Sequence, residues 1–346
     1  ALAQCNAEGK ITRLHGIARQ HQIADARQPH QGFRLGALGQ AEADDFRQPA
    51  GNQRRLGIVA EAAPFDDAAA DSEHVLRRAA DLGADDIVGS VDAEPGRAQG
   101  FRQADAERLV AAAEARPELT FSGMFQMRVE PRYQKIRELV QSGELGDLIR
   151  VIWIMTDWFR AEAYYQSSDW RATWKGEGGG VLLNQCLHQL DALQWIVGMP
   201  SRVQGHIGIG KHHDIEVEDD VTCYLEYANG ASGAFITSTG ETPGSNRFEI
   251  AGTRGRALLE NDKLIVTRNA VPSDEWSRTS KIGFQQPETT VEEIPTPGAE
   301  NTHAQLVANF VNAILDGEPL IAPGASGIGS VELANVMVYS GLLGPA

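Results

Sequence analysis

The chain has 346 residues and a formal net charge of −16. That length suits two domains with separate cores, and that acidity argues against an electrostatic grip on nucleic acid or on an anionic membrane surface. Cys5, Cys186 and Cys223 are odd in number and far apart. They form neither a zinc pattern nor a disulfide framework, which suits a reducing cytoplasm. No run of about 18 uninterrupted apolar residues suggests a transmembrane helix, and no basic stretch leading into an apolar core marks a secretory signal at the N-terminus.

The composition changes near residue 103. Upstream there is no Trp and no Tyr, and there are eleven Arg against the single Lys10. Only Ile58-Val59 and Ile87-Val88 are adjacent pairs of Ile or Val there, whereas a parallel sheet buried on both faces needs several near-continuous β-branched runs. Downstream the patterns become regular. Ala104–Ala115 has helical periodicity, Leu119–Phe125 reads as a strand, and Pro131–Gln141 reads as a helix opening on proline and closed by Ser142-Gly143. A long apolar strand is expected over Leu148–Trp158, then a helix after Gly180. Strands follow at Arg202–Ile209, Val217–Tyr227 and Ala231–Ser238, the last two joined by the hairpin signal Asn229-Gly230. Further strands are expected at Arg247–Ala251, Arg256–Glu260 and Lys263–Thr267, with Asn261-Asp262 at a turn. Helices at Thr302–Leu315 and Ser326–Leu343 complete the chain. Many antiparallel strands with helices set to one side predict an α+β domain built on a large, mostly antiparallel open sheet.

The most informative stretch runs from Trp174 to Trp195. Gly178, Gly179 and Gly180 let the backbone approach a ligand closely. In a helix beginning directly after them, Asn184, His188 and Asp191 fall on one face. Amide, imidazole and carboxylate in a line suit proton transfer, and His has an unperturbed pKa near neutrality. The plainer reading is a solvated polar stripe, with Asn184 as a helix cap.

This segment resembles the signature of the glucose-fructose oxidoreductase / inositol dehydrogenase family (Gfo/Idh/MocA). The resemblance covers about Ala104 to Gly344, through Arg128, Gly143-Glu144-Leu145-Gly146, Ser168-Asp169-Trp170-Arg171, Glu218-Asp219-Asp220 and Glu249-Ile250-Ala251-Gly252. It implies a dehydrogenase that moves hydride between NAD or NADP and a sugar, polyol or derivative. His188 is then the proton-transfer group, with Asp191 three residues later. Asn184 stands where the family often has Asp and is left an orienting role. Gln185 is expected beside it, with Arg128, Trp170 and Arg171 at the pocket rim. The exposed sheet face would make the subunit contact of a homodimer or homotetramer.

The resemblance also implies an N-terminal Rossmann domain, and there the sequence departs. No strand leads into Gly-x-Gly-x-x-Gly; Gly36-Ala37-Leu38-Gly39 follows no strand. The family's Glu-Lys-Pro, whose lysine works beside the histidine, is replaced by Gly100-Phe101-Arg102-Gln103. Residues 1–103 read either as a degenerate βαβ unit (strand Leu56–Ala60, helix Asp71–Leu82, strand Asp86–Val91) or as sequence outside the family's reading frame joined near residue 103. The candidate cofactor contacts are Gln126 and Asp92. The rival to an enzyme is a non-catalytic binding or assembly protein that has lost its cofactor.

Other residues carry weaker signals. His212-His213-Asp214 with Glu216 and Glu218 lacks zinc spacing and reads as a polar loop, not a metal site. Lys175 reads as a surface residue. Tyr164, Tyr165, Trp170 and Trp174 form either core or a stacking surface for a sugar ring.

Overall fold

A computed structural model describes residues 55–59, 103–298 and 300–343. The Asp71–Leu82 and Asp86–Val91 elements, Asp92 and the Gly36–Gly39 stretch all lie outside the described residues. Strand β1 (Arg55–Val59) pairs in parallel with β2 (Leu119–Gly123), with helix α1 (Gln103–Glu114) between them in sequence. A 3₁₀ turn at Gln126–Val129 then leads into α2 (Pro131–Gln141), whose first residue is the proline.

The main body is an eight-stranded mixed sheet. Its strands are β3 (Leu148–Met155), β4 (Arg202–Ile209), β5 (Glu218–Glu226), β6 (Ser232–Ser238), β7 (Asn246–Gly252), β8 (Gly255–Glu260), β9 (Lys263–Asn269) and β10 (Thr289–Ile294). The spatial order is β10-β9-β8-β7-β3-β6-β5-β4, antiparallel throughout except for the parallel pair β3–β6. That parallel pair departs from a simple series of hairpins. A short helix α3 (Glu162–Tyr165), helix α4 (Leu187–Val197), α5 (Ser273–Thr279), α6 (Thr302–Leu315) and α7 (Ile328–Leu343) complete the chain.

Turn chemistry sets the hairpins. Gly230 takes φ +88° between β5 and β6, and Asn229 Oδ1 accepts the Ala231 N–H at 3.0 Å. Asn261 and Asp262 both have positive φ (49° and 59°) in a two-residue connection from Glu260 to Lys263, as a type I′ hairpin requires. Strand β3 stops at Met155, short of the expected Trp158, because Thr156 turns to bond Ser245 across the strand end. Strand β10 escaped sequence reading: its residues are almost all exposed, and Glu292 and Glu293 within it and Glu288 just before it are carboxylates, so no apolar alternation marks it.

One sheet face is the core. Trp153 is stacked on Phe248 (centroids 4.2 Å) with Tyr133 of α2 beside it; α7 covers β4, and α4 packs on α7 and α2. The opposite face carries Ile152, Ile154, Ala234, Ile236, Tyr224 and Ile265, half-buried or exposed. Beside them Arg150, Arg247 and Arg256 surround the Glu249 carboxylate. Among the described residues no helix is long and apolar enough to cross a membrane.

Candidate active site

The glycine run and its neighbours gather at one end of the sheet, where β3 and β6 finish and β5 begins. Gly178 takes φ +79°, a conformation that a Cβ disfavours. Gly180 is glycine for a different reason. A Cβ there would lie 1.9 Å from the Glu218 carbonyl oxygen, so the chain passes directly over the start of β5. The expected close approach of the glycine backbone is therefore seen against the protein's own strand. Val181 N–H donates to Glu218 O (2.9 Å) and Leu182 N–H to Glu218 Oε1 (3.2 Å).

These bonds delay the helix. Residues 181–186 form turns, and α4 begins only at Leu187, so Asn184 precedes the helix and shares no helical face with His188 and Asp191. Asn184 instead belongs to a polar group around Tyr164. The Tyr164 hydroxyl donates to Asn184 Oδ1 (3.2 Å) and accepts from Arg171 Nη1 (2.8 Å) and Gln185 Nε2 (3.2 Å). The Asn184 amide also donates to Glu177, whose other oxygen accepts the Ala172 N–H at 2.6 Å. Trp170 is 42% exposed, with the Arg171 guanidinium over its ring. Thus Asn184, Gln185, Trp170 and Arg171 come together, through a tyrosine the sequence offered only as part of an aromatic cluster.

His188 sits in the first turn of α4, with the Phe125 ring edge-on to it at 6.4 Å. Burial lowers its imidazole to about 4, and the charge of His303 acts in the same direction. The ring is therefore neutral at physiological pH and able to accept a proton. Gln126 follows Phe125; its Oε1 is buried with no hydrogen-bond donor in reach among the described residues.

Arg128 and Asp191 correct the expected layout. Arg128, expected at the rim, is 2% exposed, and Asp191 is fully buried. Arg128 Nε and Nη2 donate to the two Asp191 oxygens at 2.8 and 2.6 Å, a fork-to-fork pair. The Asp191 carboxylate thus faces the Gln126–Val129 turn and Gln194, which donates to it at 3.1 Å, rather than His188. Three residues past His188 on α4, its position points at the turn packed alongside the helix.

The polar loop flagged as His212-His213-Asp214 is tied to the same end of the sheet. Asp219 accepts the backbone N–H groups of Lys211, His212 and His213 and bonds His213 Nδ1 at 2.9 Å; His213 Nε2 meets the Arg160 carbonyl at 2.8 Å. His213 is buried and serves as a brace for the segment that carries Arg160. Lys175 is exposed.

Glu218, read in the sequence as part of a family-like motif and of the polar loop, is wholly buried beneath the glycines with Oε2 unpartnered. Burial pushes its carboxyl up to about 7. The acid is then protonated in the fold while the unfolded chain has already lost the proton, so stability declines as pH rises from about 4.5 to about 7 and levels off above. The shift corresponds to about 3 kcal/mol. Thermal melts from pH 5 to 8 should show wild type losing ground to Glu218→Gln across that interval, since the amide keeps the acceptor for Leu182 and does not titrate. A difference between the two proteins that stays constant with pH would refute this.

Residues 133–258 match the family model described as the GFO/IDH/MocA C-terminal domain. Bovine trans-1,2-dihydrobenzene-1,2-diol dehydrogenase (Bos taurus) is 29% identical over 168 residues, 46% of this chain and 45% of that protein. The pig protein of the same name (Sus scrofa) is 27% identical over 205 residues, 54% of this chain and 56% of its own. The chain thus spans about half the length of these relatives. Among solved structures, the fold is similar to an oxidoreductase from Thermotoga maritima (TM-score 0.61, 19% identity, 84% of this chain and 97% of that one). It is also similar to the WlbA dehydrogenase from Chromobactrium violaceum in complex with NADH and UDP-GlcNAcA (TM-score 0.58, 23% identity, 72% and 68%). The similarity to the GFO/IDH/MocA C-terminal domain thus lies over residues 133–258, and the solved structures share the fold of the large mixed sheet with its covering helices.

Proposed function

We propose that this chain is an NAD(P)-dependent oxidoreductase acting on a hydroxyl-bearing sugar, polyol or derivative. The observation that carries the reading is His188: a neutral imidazole at the start of α4, walled by Phe125, in the stretch that also presents Asn184 and Gln185. Neutral imidazole accepts the proton of a substrate hydroxyl and returns it in the reverse direction. Gln185 and Asn184, fixed by Tyr164, orient the hydroxyls, and Trp170 offers an exposed ring for a sugar face. A bound nicotinamide would supply the hydride acceptor or donor. The Gln126 carboxamide, with its buried oxygen unpartnered, fits a hydrogen bond to the nicotinamide amide. The dihydrodiol dehydrogenases and the NADH-bound WlbA protein support the same class. Asp191 and Arg128 act in this reading as positioning residues behind the His188 wall.

Fluorescence titration with NADH and NADPH tests the reading. Saturable binding in the micromolar range is expected. No binding at millimolar concentration would sink the dehydrogenase reading and favour a protein that binds or assembles without catalysis. The apolar centre of the open sheet face, Ile154, Ile236 and Tyr224 among it, supports self-association there as a homodimer or homotetramer. Light scattering of a persistent monomer at high concentration would count against that. The free, buried Cys186 and Cys223 fit a cytoplasmic setting, which cell fractionation checks.

A further inference from the structure

Two arginines at the site lack a counterion. Arg160 and Arg171 lie eleven residues apart on either side of α3, and both guanidiniums converge on the Tyr164 ring, with Cζ 5.0 and 4.5 Å from its centroid. Among the described residues neither has a carboxylate within 4.0 Å, although most arginines of the sheet domain do. Arg171 donates to the Tyr164 hydroxyl and to Ser167 Oγ (3.0 Å); Arg160 donates only to the neighbouring Phe159 carbonyl (3.1 Å), and its Nε is buried with no acceptor. Most of their N–H donors are therefore uncommitted.

This arrangement is costly unless something answers it. Two like charges on one half-buried ring repel each other, and each also loses hydration. Local neutralisation is weak. Glu177 feels the charge of Arg171, but its oxygens are taken by Asn184 and the Ala172 N–H, and burial raises its carboxyl. Glu162 is turned to the Asp214 N–H. In a chain of net charge −16, a pair of unanswered guanidiniums stands out. The fold also invests in holding them: the Arg160 N–H bonds Thr239 O at 2.9 Å, and its carbonyl is braced by the buried His213–Asp219 pair. Exposed Trp170 borders the pair, and Asn184 and Gln185 link it to the turn that leads into α4 and His188.

We propose that the substrate carries a carboxylate, as in an aldonic or uronic acid, and that Arg160 and Arg171 bind it while the hydroxyl to be oxidised faces His188. Resting on the dehydrogenase reading for the second half of that statement, the proposal adds a substrate class. A planar carboxylate matches the guanidinium fork with two parallel hydrogen bonds, a geometry that neutral hydroxyls do not reproduce.

Isothermal titration of the full chain with NADH present tests it, using D-gluconate against D-glucitol and D-glucuronate against D-glucose, with D-glucose 6-phosphate as a further anion. At least one carboxylate should bind tenfold or more tightly than its neutral counterpart. The Arg160→Gln/Arg171→Gln double variant should abolish that preference, bringing carboxylate and neutral partner to equal affinity, while the Arg160→Lys/Arg171→Lys variant retains part of it. Preference for the phosphate over both carboxylates would overturn the assignment of a carboxylate. So would equal binding of charged and neutral partners, or a preference that survives in a folded double glutamine variant. His188→Asn separates the two readings: carboxylate binding that persists in it, with no turnover by any form of the protein, would defeat the hydride-transfer reading and leave the anion site standing.

Discussion

Replacing His188 with Asn should lower turnover in nicotinamide-dependent oxidation by about 10²–10⁴, the range for a lost acid–base group, with cofactor affinity little changed. The size follows from the environment of the ring. Burial holds the imidazole near 4, so at pH 6–8 it is already in the form that accepts a proton, and its own titration leaves the rate flat there. Below that range the profile of kcat/KM should fall as the free enzyme's His188 becomes protonated. Asn removes the proton acceptor but approximates the ring's polar outline, so the wall made with Phe125 survives. Two readouts should therefore move together: turnover collapses, and the acid limb of the profile that belongs to His188 disappears. A variant with wild-type turnover and an unchanged acid limb would remove His188 from the reaction.

Much of the sheet domain was legible because its signals are local. Asn229-Gly230 and Asn261-Asp262 name their turns by conformation alone, Pro131 opens its helix at the expected residue, and strand alternation marks β5 and β6 nearly to the residue. What escaped depends on partners distant in sequence. The parallel pairing of β3 with β6 joins Arg150 to Ser232 across the intervening helices and strands, and no local pattern encodes it. The start of α4 shifted from Gly180 to Leu187 because Glu218, 36 residues beyond Leu182, ties down the intervening turn. Periodicity correctly put His188 and Asp191 on one helix but could not say that an arginine 63 residues upstream would claim the carboxylate. The same limit hid the Tyr164 group. Each member was visible as a residue type, and only the fold makes the hydroxyl their common partner.

Breaking the Arg128–Asp191 pair should cost about 3–5 kcal/mol, since either single truncation leaves a buried charge without its partner. Both side chains are at or below 2% exposure, so neither water nor salt can stand in for the missing group. The pair joins α4 to the Gln126–Val129 turn. Arg128 further holds Phe125 (5.1 Å from Cζ to the ring) and Trp195 (5.7 Å), which ties the residue facing His188 to the same anchor. Asp191→Asn, which from sequence alone reads as a mild change to a histidine's neighbour, should instead lower the midpoint of thermal or urea unfolding strongly, as should Arg128→Ala. The combined Arg128→Met/Asp191→Leu variant removes both charges and fills the space with apolar volume. It should recover much of the loss, giving a large coupling energy in a double-mutant cycle. Single variants that each lose less than about 1 kcal/mol, or losses that simply add in the double variant, would show that the pair does not act as a unit. A recovered double variant with impaired turnover would place the pair's contribution in the positioning of Phe125 and His188 rather than in stability alone.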